Sequence, residues 1–190
     1  MRIDISKITE RQILIIRNSI NYYSYIQANY QKDDEDFRDV FTEFYLSSQG
    51  AMRNDENRIP FFNKMRSCDA NKKLIDLVKE LYDELPINKY EFSFATKLLH
   101  TINNELPIYD SKVRIYLKKN EQVDFWLYYH PRVNVLEQIE HDWKLLIDWY
   151  NRFLSTEESK RWIEWFDSQF PEHTHISKVK KIDFIIFAFN

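Results

Sequence analysis

The chain has 190 residues, 27 Lys and Arg against 30 Asp and Glu, and a formal net charge of −3. Hydrophobic residues make up 44% and aromatic residues 16%, enough to fill the core of one domain and to exclude disordered and collagen-like classes. A negative total gives no global attraction to polyanions, so any nucleic-acid surface has to be local.

In chain order, Thr9 to Gln12 reads as a capping box ahead of apolar Ile13, Ile16 and Ile20, and Tyr22, Tyr23 and Tyr25 continue that helix. The acidic run Asp33 to Asp36 suits a helix start, and Phe37, Val40, Phe41, Phe44 and Tyr45 follow at helical spacing. Ser47 to Arg58 is polar and predicts a loop, with Ile59-Pro60 opening a short helix that carries Phe61, Phe62 and Met65. Asp69 is the expected cap of the next helix, whose stripe is Leu74, Leu77, Val78, Leu81 and Leu85 and which Pro86 stops. Tyr90 to Asn103 predicts a helix; Asn103-Asn104 and Pro107 break it, and Asp110-Ser111 open another. Leu136 to Tyr150 and Trp162 to Phe170 predict two more, the second behind a Thr156 cap, and Ser177 leads a last one with Val179, Ile182, Ile186 and Phe189. No period-2 strand stands out. The expected fold is all-α, a compact bundle of about eight or nine helices forming one domain, with room for two helical subdomains around a cleft.

The single glycine, Gly50, excludes Walker A and dinucleotide-binding loops, which need several glycines for close backbone approach to phosphate. No nucleotide cofactor is expected. The longest apolar runs, Ile13 to Ile16 and Phe184 to Phe189, are far shorter than the roughly 20 residues of a membrane helix, which predicts a soluble, cytoplasmic protein. One cysteine, Cys68, allows no internal disulfide and no cysteine-cluster zinc site.

The segment Phe92-Ser93-Phe94-Ala95-Thr96-Lys97-Leu98-Leu99-His100, followed by Leu106-Pro107-Ile108-Tyr109-Asp110-Ser111-Lys112-Val113-Arg114, resembles the core of the helix-hairpin-helix DNA glycosylase superfamily. The closing Lys181-Ile182-Asp183-Phe184-Ile185-Ile186 is similar to the last helix of the archaeal-type 8-oxoguanine branch. About 30 residues carry the resemblance well and the last dozen loosely. It implies double-stranded DNA as partner, possible base excision, no metal, and Asp110 as the carboxylate that positions or activates the nucleophile and faces the positive charge growing on the sugar.

The sequence departs from that pattern twice. Ser93 stands where lyase members place a lysine, which leaves Lys97, one turn further on, as the candidate amine and makes monofunctional hydrolysis the expected chemistry. The hairpin, normally Gly-x-Gly, is Asn88-Lys89-Tyr90-Glu91-Phe92, without the glycines that let amides approach a phosphate. Lys89, Lys112, Arg114, Lys118 and Lys178 are the candidate DNA contacts, with Lys119, Lys180 and Lys181 enlarging two basic clusters.

Each of these residues also has a plain structural reading. Asp110 can simply cap its helix with Arg114 as an ion-pair partner. The lysines can be solvated surface, and Lys97 likewise. His173-x-His175 lacks a third metal ligand, His100 suits a local hydrogen bond, and Cys68 suits the core. Tyr128, Tyr129, Trp143, Trp149, Trp162 and Trp165 can stack on an extruded base, but their helical spacing fits core. The alternative function is therefore a non-catalytic helical binding or scaffold protein.

Overall fold

The computed structural model describes residues 3–32, 34–46, 52, 54–87, 89–127 and 132–189. Among them the protein is all-α, with nine helices and no strand. They are α1 (Glu10–Asn29), α2 (Glu35–Leu46), α3 (Asp55–Ser67), α4 (Leu74–Glu84), α5 (Phe92–Ile102), α6 (Ser111–Asn120), α7 (Val135–Leu154), α8 (Glu157–Gln169) and α9 (Lys178–Ala188). No described helix is long and apolar enough to cross a membrane.

The chain divides into two compact units, Ser19–Asn103 and a second made of Met1–Asn18 with Asn104–Asn190. In the Ser19–Asn103 unit, α3, α4 and α5 pack on one another. Its core is a nest of phenylalanines. Phe37, Phe41, Phe61 and Phe62 meet mostly edge to face at 5.3–6.0 Å between ring centroids, the arrangement that aromatic quadrupoles favour. Phe94 of α5 joins them through Phe61.

In the other unit α9 is the central element, packed against α6, α7 and α8. Nine of its eleven residues are buried, which fits a helix surrounded by others rather than one with a single apolar face. Trp162, Phe166, Phe170, Ile182, Ile185 and Ile186 are almost completely excluded from solvent.

Local signals account for most helix starts. Thr9 and Gln12 form the capping box, Thr9 N–H donating to Gln12 Oε1 at 2.9 Å and Gln12 N–H to Thr9 Oγ1 at 3.3 Å. Asp34 accepts the Phe37 N–H at 2.7 Å at the head of α2. Thr156 Oγ1 accepts the Ser159 N–H at 3.1 Å at the head of α8, so Thr156→Ala is expected to cost about 1 kcal/mol in urea unfolding. An unchanged midpoint would show that the cap contributes nothing there.

Two boundaries differ from the sequence reading. The α3 helix begins at Asp55, ahead of Ile59-Pro60, because Asn54 Oδ1 caps the Glu56 N–H at 3.0 Å and two acidic residues fill the first turn. Pro60 therefore sits inside the helix. Its missing N–H costs one bond, which the burial of Phe61, Phe62 and Met65 outweighs. Asp69 does not cap α4: its carboxylate turns back to the Asn71 N–H at 2.7 Å, and the helix starts after Lys73 with no side-chain cap. Residues 47–51, including Gly50, lie outside the described residues.

Candidate functional site

Asp110 precedes α6 with an extended backbone, and its Oδ1 accepts the N–H groups of Lys112 at 2.7 Å and Val113 at 3.3 Å. It is the N-cap, placed by Pro107, Ile108 and Tyr109, all of them buried. The Asp110 residue itself is only half-buried. Two orphan donors and the positive end of the helix thus meet a carboxylate that keeps some access to solvent.

Beside it lies a buried polar group drawn from two other helices. Tyr150 of α7 donates its hydroxyl to Oδ1 of Asp183 on α9. Lys180 is one turn before Asp183 on the same helix, and its Nζ is 5.0 Å from the centroid of the Phe184 ring. Asp183 and Lys180 are each 5% exposed. Oδ2 of Asp183 has no hydrogen-bond partner among the described residues.

The electrostatics follow from this burial. Removal from water pushes the Asp183 carboxyl up to about 6, against the opposing pull of Lys180 and the Tyr150 hydrogen bond, with Asp110 adding to the rise. Burial lowers the Lys180 ammonium, which Asp183 and then Asp110 partly restore. Burial raises the Tyr150 phenol well above its usual value, helped by the neighbouring Asp183 and Asp110 charges. Tyr150, Lys180 and Asp183 thus form one buried polar group between α7 and α9.

The other sequence candidates are placed as follows. Lys97 is buried in α5 and its Nζ donates to the Tyr45 carbonyl at 2.7 Å, holding the end of α2. Lys89 is exposed and pairs with Glu91 at 3.2 Å. Lys112 lays its amine over the Phe187 ring, 3.6 Å from the centroid. Arg114 is half-buried, and Lys118, Lys119 and Lys178 are exposed.

The basic cluster expected at the start of α9 is corrected. Lys180 and Lys181 turn inward, and Lys181 meets Asp167 at 2.6 Å and the Thr174 carbonyl at 2.8 Å. The packing of α6, α7 and α8 around α9 explains this, since it leaves the helix covered on nearly every side.

His100 is fully buried, its ring 5.8 Å from that of Tyr23. Cys68 is half-buried, and burial raises its thiol, the opposite of what an activated nucleophile needs. The rings of His173 and His175 lie 6.1 Å apart, and no group of three or more potential metal ligands occurs among the described residues. Trp149 and Trp162 are core, both packed on Phe153, while Trp143 and Trp165 are half-buried. Asn88, Tyr128 and Tyr129 lie outside the described residues.

Sequence reading counted Tyr150 as core, Lys180 as surface charge and Asp183 only as part of a resemblance. The available signal was Asp183, one turn after Lys180 and the one charge within the otherwise apolar stretch Ile182 to Ala188. The chain matches no family model, no curated protein and no solved structure.

Proposed function

We propose that the protein binds double-stranded DNA in the manner of helix-hairpin-helix glycosylases and releases a damaged base by monofunctional hydrolysis. The observation that carries this reading is Asp110: a half-exposed carboxylate at a helix start whose two amide bonds both fall on Oδ1. In such a reaction the bond from sugar to base breaks first, the base leaves with the bonding pair, and positive charge grows on the sugar. A fixed negative group beside that charge lowers the barrier without moving. Water then adds to the sugar, and the proton it gives up passes to the departed base, leaving a free neutral base and an abasic site.

Lys97, engaged with the Tyr45 carbonyl, favours hydrolysis over lyase chemistry through that amine. Exposed Lys118 and Lys178, on the same unit as Asp110, supply phosphate contacts. The absence of the family lysine at Ser93 favours a second reading, a DNA binder without chemistry.

Duplexes carrying a single 8-oxoguanine, uracil or alkylated purine, followed by alkaline cleavage, test both. Base release by the wild type that is lost in Asp110→Asn while duplex binding persists supports the enzyme. Salt-dependent binding with no release supports the second reading. Neither binding nor release defeats both.

A further inference from the structure

Tyr109 immediately precedes Asp110 in the chain, and its hydroxyl donates to Oδ2 of Asp142 at 2.9 Å. We infer that Tyr109 is a positioning residue: anchored on Asp142, it holds the Asp110 carboxylate at the head of α6 in the place where positive charge develops on the substrate. This deepens the reading of Asp110 given above and rests on it. Neither Tyr109 nor Asp142 touches a reacting atom in this scheme; both act through the backbone that carries Asp110.

Each link from anchor to carboxylate is a covalent or a hydrogen bond. Asp142, on α7, is wholly excluded from solvent, and Tyr109 is 5% exposed. The Tyr109 ring also meets Phe125 edge to face, with centroids 5.6 Å apart. One peptide unit further on, Asp110 has an extended backbone, and its Oδ1 accepts the N–H groups of Lys112 and Val113. Neighbouring side chains of an extended chain leave on opposite sides, so a tyrosine fixed in the core turns the next residue away from it. Asp110 is accordingly half-exposed directly after three buried residues, Pro107, Ile108 and Tyr109.

The anchor is itself held from several directions. Asp142 Oδ1 accepts the Trp126 N–H at 2.6 Å and lies 3.2 Å from His141 Nδ1, and Oδ2 also accepts the Leu127 N–H at 3.1 Å. The Trp126 ring stacks on His141 with centroids 3.6 Å apart, which ties the same loop to α7. With donors converging on both oxygens, the carboxylate is a fixed point rather than one that follows Tyr109. A phenylalanine would fill the same space against Phe125; what the hydroxyl adds is a directional bond to a charged acceptor, which fixes where the ring ends. Such precision matters for a charge that must face a developing cation, since a displacement of about 1 Å can cost about a hundredfold in rate.

The test uses Tyr109→Phe, which keeps the ring and removes the hydroxyl, because Asp142→Ala disrupts the loop as well. Thr156→Ala, which removes the cap of α8 in the same unit, is the control for destabilisation alone; both variants are checked for native circular dichroism. On duplexes from which the wild type releases base, Tyr109→Phe is expected to lower kcat by about tenfold with KM little changed, while Thr156→Ala keeps the wild-type kcat. A purely structural role predicts that both variants unfold at lower urea and keep kcat, and an unchanged kcat in Tyr109→Phe overturns the inference.

Amide proton exchange followed by NMR gives a readout independent of activity. In Tyr109→Phe, exchange of the Lys112 and Val113 N–H groups that donate to Asp110 should quicken by about tenfold or more. The Glu121 N–H, bonded to the Leu117 carbonyl at the other end of α6, should keep its rate. Unaltered exchange at Lys112 and Val113, or equal quickening along the whole helix, overturns the positioning role whatever the activity. Selective quickening in a protein whose wild type releases no base overturns the glycosylase reading and leaves the anchor standing.

Discussion

Asp142→Ala is expected to lower the unfolding free energy by about 3–5 kcal/mol, a large share of what a domain of this size possesses. Asp142 is completely buried near the start of α7, and its two carboxylate oxygens gather the polypeptide around them. Oδ1 accepts the Trp126 N–H at 2.6 Å and lies 3.2 Å from His141 Nδ1. Oδ2 accepts the Leu127 N–H at 3.1 Å and the Tyr109 hydroxyl at 2.9 Å. Truncation leaves two backbone donors and a buried hydroxyl without their acceptor.

The substitution also frees Trp126, whose ring stacks on His141 with centroids 3.6 Å apart. Tyr109, which immediately precedes Asp110, loses its anchor as well, so the start of α6 is expected to loosen with the loop. Urea unfolding at fixed slope measures the effect. A loss below about 1 kcal/mol would mean that the loop finds other acceptors and that Asp142 is not its organising group.

The second large effect concerns pH. The Asp183 carboxyl is raised from 3.8 to about 6, so its folded form binds the proton more tightly than the unfolded form does. The stability it contributes is fully present below about pH 3.8 and is lost as pH rises through about 6. At about 1.36 kcal/mol per pH unit the loss reaches up to about 3 kcal/mol.

Other carboxylates titrate in the same range, so the informative quantity is the stability of the wild type minus that of Asp183→Asn. That difference should fall between pH 4 and pH 7, with Asn retaining an acceptor for the Tyr150 hydroxyl. A difference that stays constant or grows would show that Asp183 ionises freely where it lies. The same experiment bears on function, because a group held charged at neutral pH against its own burial opposes folding, and such groups persist where activity requires them.

Much of the helical architecture was legible in the residues. Thr9 with Gln12, Asp34 and Thr156 are caps whose side chains reach the backbone N–H two or three residues on, an interaction confined to one turn and therefore written locally. The apolar stripe of α4 at Leu74, Leu77, Val78 and Leu81 is buried as its spacing predicts. Asp110 was also visible as a helix opener, since Pro107 upstream and Ser111 after it mark the turn.

The extent of α3 was not legible, because the breaking tendency of Pro60 is a local rule, while the packing that overrides it comes from phenylalanines of α2 and α5. Nor was the meaning of the charges in the last helix. By itself the sequence determined several of the caps, though not that of α4, and the apolar stripes, because those effects act within a turn or two of chain. Only the tertiary structure decided that Lys180, Lys181 and Asp183 face inward and that Tyr150, 33 residues earlier, meets Asp183. Burial on every side of a helix, and with it the electrostatic surroundings of an ionisable group, depends on which distant helices pack around it, and no local pattern records that.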